Sequence, residues 1–500
     1  MKILTGRDIR EADRYTMEHE PISSLDLMER ASRSIARWME QNIGRETPLL
    51  FVVGKGNNGG DGLAVARMLS EVGYRCAVYR VYAPEQMTPE CRTNWERLPE
   101  GVERCTIDSL PLTENTVVVD ALLGTGVRGE VKDPVKGVIL AINASNNRVV
   151  SIDMPSGMGT EFDNAGRTMV HAWVTLTLEF PKLALLLPEA GDAAGRFVVL
   201  PIGLDQQYMA KTPSSYFYTG REEARQLIVP RHRFAHKGTH GHALLICGSR
   251  GMVGAAVMAT RAALRSGCGL VTTHLPESER MVVQVACPSA MVSCDPESVF
   301  SCVPKHLERY RAIGVGCGVG QDPRSVQAFR DLLAAVTTDV KLVIDADALN
   351  ILAAHPECMD LVPAEAILTP HLGELKRLVG PWSNEEEKIE RVRSLAARLQ
   401  AYIVVKGANT MICMPDGRCL FNATGNPGMA KGGSGDVLTG YITGLLARGY
   451  DPCRAAVLGV YLHGLAGGLA AEKYGEEGMN ASDIIDFLGM AQTETMNASE

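Results

Sequence analysis

Thirteen cysteines are scattered along the chain without a single C-x-x-C pair, and neither G-x-x-x-x-G-K-[ST] nor G-x-S-x-G occurs anywhere. The odd, unpatterned cysteine count argues against a disulfide framework and fits reduced thiols, so a cytoplasmic setting is expected. Without a Walker loop, any nucleotide must be held in some other way. The missing nucleophile elbow removes the common hydrolase arrangement. Positive charge is also short: 50 Lys and Arg stand against 58 Asp and Glu, for a formal net charge of -8. With no basic stripe and only 5% aromatics, nucleic acid is not an expected partner. No uninterrupted apolar run reaches the ~18 residues of a membrane span. The opening MKILTGRDIREADRYTMEHE is charged throughout and lacks the apolar core of a secretory signal, so neither a membrane nor export is expected.

What is present is ordinary for a soluble globular chain: 500 residues, 46% hydrophobic and 22% charged. That length suggests two or three domains at ~100–200 residues each. Residues 8 to 42 carry a helical apolar stripe through Ile9, Ala12, Leu27, Met28, Ala31, Ile35 and Trp38. Then LLFVVG (Leu49 to Gly54) reads as a strand, KGNNGGDG as a loop, and Leu63 to Gly73 as a helix. Gly54, Gly56 and Gly59 satisfy G-x-G-x-x-G in the strand, turn and helix setting that pattern requires. The usual ribose-binding acid does not follow the next strand, so a phosphate-bearing ligand in a non-standard pose is expected, contacted by the polar Asn57, Asn58 and Asp61.

Two further strand ends repeat the theme. TVVVDALLGTGVRGEV delivers Asp120 and a second glycine loop, and RVVSIDMPSGM delivers Asp153 and Ser156. Gly, Asp and Ser at the carboxyl ends of three parallel strands describe one crevice at the edge of a doubly wound sheet. A monovalent cation could take Asn58, Asp120 and Ser156 as hard oxygen ligands.

GNNGGDGL, DALLGTGVRG and IDMPSG, followed by the lysine-containing FPKLALLLPEAGDAAG (Phe180 to Gly195), resemble the signature segments of the NAD(P)H-hydrate epimerase domain over residues 1–215. The resemblance implies a Rossmann-like fold, racemisation at the hydrated carbon of damaged NADH or NADPH, and a bound potassium ion. By position it implies substrate contacts at Asn57, Asn58, Gly59, Gly60 and Asp61, at Gly124, Thr125, Gly126, Val127, Arg128, Gly129 and Glu130, and at Asp153. It implies potassium ligands at Asn58, Asp120 and Ser156.

A polar, proline-broken stretch around 206–222 reads as a linker. Four histidines follow within eleven residues (His232, His236, His240 and His242), at a spacing that matches no familiar zinc pattern. Thereafter strand and helix patterns alternate, which means a parallel sheet covered by helices. Asp345, Asp347 and Asn350 lack the glycine and terminal glutamate of a calcium loop. The richest stretch is NPGMAKGGSGD, Asn426 to Asp436, opening onto an apolar helix that begins near Gly435. Its glycines let backbone N–H groups approach an anion at a helix N-terminus, and Asp436 sits where a substrate hydroxyl could lose its proton.

Residues 237 to 488 resemble the ADP- or ATP-dependent NAD(P)H-hydrate dehydratases, relatives of the ribokinase-like kinases. The carriers are HKG, CGSRGMVGAA, GVGCGVG, IDADALN, LTPHLGE, KGANT, NATGNPGMAKGGSGDVLTG and GMNASDII. The family pattern implies nucleotide contacts at Lys406, Gly407, Ala408, Asn409 and Thr410. It adds Asn426, Pro427, Gly428, Met429, Ala430, Lys431, Gly432, Gly433, Ser434 and Gly435. Substrate contacts fall on Ala255, Gly318, Gly320, His371 and Asp436. The resemblances together imply two doubly wound three-layer α/β domains: a Rossmann-like one over 1–215 and a ribokinase-like one over 223–500. ADP or ATP with Mg2+ is the expected co-substrate, and a homo-oligomer is expected.

The expected chemistry is proton removal from the ring hydroxyl by Asp436 and phosphoryl transfer to that oxygen. The Gly433, Ser434 and Gly435 amides would hold the developing charge, with Lys431 as a nearby point cation. His371 is expected to position the nicotinamide portion. Two alternatives stand beside this: a vitamin or sugar kinase that stops at the phosphate ester, and a first domain that only senses nucleotide or binds protein.

Overall fold

The computed structural model describes residues 1–105 and 110–497. The chain divides into two compact units, Lys2–Tyr216 and, together with Met1, Phe217–Glu500.

In the first unit, β1 (Leu49–Val53), β2 (Cys76–Arg80), β3 (Glu103–Arg104), β4 (Val117–Ala121), β5 (Arg148–Ile152), β6 (Val174–Leu178) and β7 (Arg196–Leu200) form one sheet. Its order is β3-β2-β1-β4-β5-β6-β7, and every pairing is parallel. β1 and β4 are buried along their whole length, because helices cover both faces, so their sequences read as apolar runs. Strand order reverses between β1 and β4, which is where ligands settle in such sheets. The polar loop expected after β1 is instead the first two turns of a helix, Asn57–Glu71. Glycine is used there for close approach: a Cβ on Gly59 would collide with the Gly54 carbonyl, and one on Gly62 would press on the Ala121 side chain.

The stretch 206–222, expected as a linker, carries structure: a helix Gln206–Lys211, the strand β8 (Tyr216–Tyr218) and the start of a helix Arg221–Leu227. Asp205 caps the first by accepting from the Tyr208 N–H at 2.7 Å. The stretch reads as linker because its helices are short and polar and Pro213 interrupts it.

In the second unit the strands are β9 (His242–Ile246), β10 (Leu270–Pro276), β11 (Met291–Asp295), β12 (Ala312–Val315), β13 (Lys341–Ile344), β14 (Ile367–Leu368), β15 (Tyr402–Val405), β16 (Thr410–Cys413) and β17 (Cys419–Asn422). The sheet runs β11-β10-β9-β12-β13-β14-β15-β16-β17-β8, parallel from β11 to β15 and antiparallel at β16 and β17. Helices Val253–Arg265 and Ser434–Arg448 touch backbone to backbone, since a Cβ on Gly440 would overlap the Ala259 backbone. Helix Pro452–Tyr474 is long and apolar enough to cross a membrane by length and composition, yet 72% of its most apolar window is buried in the unit. It is a core helix, contributing Leu458, Leu462 and Ala466 to an apolar cluster of this unit.

Two candidate active sites

The first site gathers at the carboxyl ends of β1, β4 and β5. Asp120 lies inside β4, fully buried, and accepts from Ser156 Oγ at 2.5 Å, Ser156 N at 2.8 Å, Ser151 Oγ at 2.8 Å and Leu122 N at 3.3 Å. Burial raises its pKa despite those donors, and no lysine or arginine among the described residues pairs with it. Asn58 leaves its amide nitrogen buried and unpartnered, and a Cβ on Gly124 would sit 3.6 Å from its Oδ1. A buried carboxylate, a hydroxyl and an amide oxygen, with the Leu123 carbonyl 3.1 Å from Ser156 Oγ, suit a hard monovalent cation. Across the same crevice, a Cβ on Gly56, Gly126 or Gly129 would meet only open space, which leaves room for a ligand along both glycine loops.

Asp153 follows β5 with φ +64°, a left-handed conformation that turns its carboxylate back toward the sheet. There it accepts from Leu178 N at 3.2 Å and forms an ion pair with Lys182. The Lys182 ammonium is almost wholly buried and also donates to Thr177 Oγ1 and the Leu178 carbonyl, both at 3.0 Å. Asp13, on helix Gly6–His19, and Asp61 complete the group. Burial, reinforced by the charge of Asp153, pushes Asp13 up to about 6 and Asp61 well above the usual carboxylate range. Asp13 and Asp61 therefore keep their protons to higher pH than ordinary carboxyl groups do. Asp13 gave no sequence signal beyond an ordinary helix acid, and Lys182 none beyond its place in the segment after β6.

In the second site, consecutive strands β9, β12, β13, β14 and β15 each deliver one piece at their carboxyl ends. Ala255 lies in the first turn of helix Val253–Arg265, and a Cβ on Gly318 would be 3.2 Å from its Cβ, so these two expected contacts are neighbours. The Gly320 N–H donates to Asp347 Oδ2 at 2.9 Å. Next along the chain from Gly320, a cavity of about 360 Å³ is lined by Gln321, Asn350, Ala353, Ala354 and Arg377. His371 caps helix Leu372–Val379, its Nδ1 accepting from Gly373 N at 2.9 Å, and keeps an exposed ring whose Nε2 is 3.3 Å from Glu374 Oε1.

The N-terminus of helix Ser434–Arg448 has no side-chain cap, and Gly433 precedes it at φ +96°. A non-glycine residue would be strained there, and the open N–H groups make a seat for phosphate. Lys406 projects to this point: its ammonium is 2.8 Å from Asp345 Oδ1 and would be 3.3 Å from a Cβ on Gly435. Burial opposes the charge on Lys406, but Asp345 and Glu374 outweigh it and lift its pKa above the ordinary lysine value. Lys431, expected as the point cation, is instead committed elsewhere. Its ammonium donates to the carbonyls of Glu476 at 3.2 Å and of Glu477 and Met479 at 2.6 Å, where it ties down a loop. The cation at the helix N-terminus is Lys406.

Asp436, in the first helical turn, has no ion-pair partner among the described residues. Burial, and then the nearby Asp345 charge, push its pKa up to about 6, against the lowering pull of Cys317 and Lys406. Asp345, which carried no role in the sequence, is the hub: it accepts from Lys406 and, at 2.6 Å, from Thr439 Oγ1. His463, also unassigned, is kept neutral by burial, its pKa pushed down to about 4. Its Nε2 lies 3.0 Å from the Ser434 carbonyl and steadies the helix start. The amide nitrogen of Asn426 is buried without a partner in the expected nucleotide loop, while its oxygen accepts from Gly428 N at 2.9 Å. The arrangement can take a proton from a hydroxyl beside a positively lined phosphate seat.

Residues 243–489 match the family model described as NAD(P)H-hydrate dehydratase, and residues 24–184 match that of the YjeF-related protein N-terminus. The bifunctional NAD(P)H-hydrate repair enzyme Nnr of Moorella thermoacetica is 35% identical over 511 residues, covering 98% of this chain and 96% of its own. The same enzyme of Coxiella burnetii is 34% identical over 498 residues, covering 97% and 98%. Among solved structures, the ADP/ATP-dependent NAD(P)H-hydrate dehydratase of Bacillus subtilis, co-crystallised with ATP/Mg2+, is 34% identical over 56% of this chain and 98% of its own, with a TM-score of 0.50. A ribokinase-like superfamily protein of Enterococcus faecalis is 29% identical over 57% of this chain and 98% of its own, with a TM-score of 0.52.

Proposed function

The chain belongs to the bifunctional NAD(P)H-hydrate repair enzymes, joining an NAD(P)H-hydrate epimerase to an ADP/ATP-dependent NAD(P)H-hydrate dehydratase, and within that activity we propose that Asp436 and Asp153 carry the two reactions. For dehydration the carrying observation is a carboxylate of raised pKa beside an uncapped helix N-terminus and a partly buried lysine. Asp436 takes the proton of the ring hydroxyl, and that oxygen attacks the terminal phosphoryl group of the nucleotide. The backbone N–H groups of Ser434 and Gly435 and the Lys406 ammonium receive the charge that develops on the phosphoryl oxygens. Phosphate then leaves as the ring nitrogen pushes its electron pair toward the carbon, and loss of a ring proton restores NADH or NADPH. The nucleotide would lie along Lys406 to Thr410 and Asn426 to Gly435, and Mg2+, with which the Bacillus relative was co-crystallised together with ATP, would supply charge neutralisation for its phosphates. Lys431 supports this seat indirectly, through the 476–479 loop. The substrate side is formed by Ala255, Gly318, Gly320 and His371.

For epimerisation, the hydrated carbon bears both a hydroxyl and the ring nitrogen. The nitrogen lone pair can expel the hydroxyl as water once a proton reaches it, and water can return to the opposite face. Asp153, held by Lys182 and backed by Asp13 and Asp61, whose pKa values burial raises, gives and recovers that proton. A potassium ion held by Asp120, Ser156 and Asn58 would balance the buried carboxylate and fix the loops that end β1, β4 and β5.

The test follows recovery of reduced-nicotinamide absorbance from a mixed pool of hydrate epimers with ADP or ATP. The parent protein should convert the whole pool and release free phosphate. Asp153→Ala should stop at the fraction present as the accepted epimer, and Asp436→Asn should recover almost nothing. Accumulation of a phosphorylated hydrate would instead mark a kinase. Full recovery by either variant overturns its assignment.

A further inference from the structure

Away from both crevices, β10 and β11 end beside a turn that brings an imidazole, a carboxylate and a thiol together. His274 Nε2 lies 3.3 Å from Asp295 Oδ2, and Cys302 Sγ lies 3.7 Å from the same oxygen. The three ligand atoms all fall within 4.8 Å of one another. Those separations suit an ion placed among them with bonds of ~2.0–2.3 Å, the lengths zinc makes to nitrogen, oxygen and sulfur.

The surroundings are built as well. Asp295 is held from both sides: Oδ1 accepts from Ser301 Oγ at 2.6 Å and Glu297 N at 3.0 Å, and Oδ2 from Ser301 N at 2.7 Å and Cys302 N at 3.1 Å. The second nitrogen of His274 lies 3.0 Å from Ser293 Oγ, the outer partner that orients a metal-binding imidazole. The Phe300 ring stands edge-on to His274 with centroids 5.9 Å apart, which screens one side. His274 and Asp295 are buried while Cys302 is exposed, so the group has an entry path and a side open to water.

We propose that His274, Asp295 and Cys302 form a binding site for one borderline divalent transition-metal ion, zinc by its donor set, with water as the fourth ligand. One nitrogen, one oxygen and one sulfur donor favour zinc over magnesium or calcium, which take oxygen. The protons now shared with Asp295 Oδ2 occupy the ion's position. On binding, Nε2 gives up its proton as the ion approaches, leaving the ring proton on Nδ1 toward Ser293, and the displaced Nε2 and thiol protons pass to solvent. The thiolate and carboxylate then balance the two charges of the ion. Because the Ser298 carbonyl accepts from Arg250 N at 3.2 Å, in the turn leading to helix Val253–Arg265, the ion would fasten the 295–302 segment beside the approach to Ala255.

Cobalt titration of the full-length protein, stripped by chelator, tests this. One equivalent should bind per chain with the visible bands of four-coordinate cobalt and a near-ultraviolet thiolate-to-cobalt band. Cys302→Ser should abolish the thiolate band and weaken binding at least tenfold. Cys294→Ser, removing the neighbouring exposed thiol, should leave both unchanged. Absence of a thiolate band in the parent protein overturns the site. So does its survival in Cys302→Ser or its loss in Cys294→Ser, either of which assigns the ion to other cysteines.

Discussion

The Lys406 ammonium sits 2.8 Å from the Asp345 carboxylate, and this pair meets the N-terminus of helix Ser434–Arg448 at Gly435. Asp345 thereby aims a cation at the place where a phosphate group would bind, while its own charge helps keep Asp436 basic. One carboxylate thus both pairs with Lys406 and raises the pKa of Asp436.

Replacing Asp436 by Asn keeps the shape and removes the base. Dehydration should fall by roughly 10²–10⁴, with epimer interconversion unchanged, measured on the same preparation by absorbance recovery and by chromatographic separation of the epimers. A loss of less than tenfold would remove Asp436 from the mechanism.

The pH profile follows from the raised pKa of the same residue. The ionised carboxylate is the active form, so raising its pKa moves the loss of activity upward in pH. The dehydratase kcat/KM should decline by about tenfold per pH unit below about 6. An inflection near 4 would mean that Asp436 is not the titrating group.

Lys406→Met strands the Asp345 carboxylate in a buried setting. Because the ammonium keeps about a fifth of its exposure, a stability loss on the order of 2 kcal/mol is expected, below the ~3–5 kcal/mol of a wholly buried broken pair. Nucleotide turnover should fall far more than stability explains. Pairing it with Asp345→Asn in a double-mutant cycle should return part of the stability but none of the turnover.

Lys431→Met should behave in the opposite sense. Three carbonyls of the 476–479 loop lose their donor, which costs on the order of 1–2 kcal/mol. Nucleotide KM should change by less than about threefold, since a charge this committed contributes little to phosphate binding. A KM increase of ten times or more, without a fall in melting temperature, would return Lys431 to the phosphate seat.

Lys182→Met should abolish epimerisation and, by leaving Asp153 charged and unpaired, destabilise the first unit by about 3–5 kcal/mol. Asp153→Asn leaves the buried Lys182 ammonium without its counter-charge but still with an amide oxygen to donate to. It should lose epimerisation with a smaller drop in melting temperature. Dehydration of the accepted epimer should persist in both.

Much of this protein was legible from the chain alone, for a physical reason. Parallel strands buried on both faces must be apolar runs, and the loops that end them must carry whatever glycine, acid or amide the ligand needs. Local patterns such as GNNGGDG, IDMPSG and KGGSGD therefore mark both the alternating α/β architecture and the strand ends that hold chemistry. What a chain cannot show by itself is which charges meet. Lys431 lies within the glycine-rich segment yet reaches away from it, whereas Lys406, twenty-nine positions before Gly435, arrives through β15 to face it. Asp345 and Thr439 find each other across 94 residues, and the Asp13 carboxyl has its pKa raised only because folding buries it near Asp153 and Lys182. Burial and long-range pairing set those roles, and both come into being only with the tertiary structure.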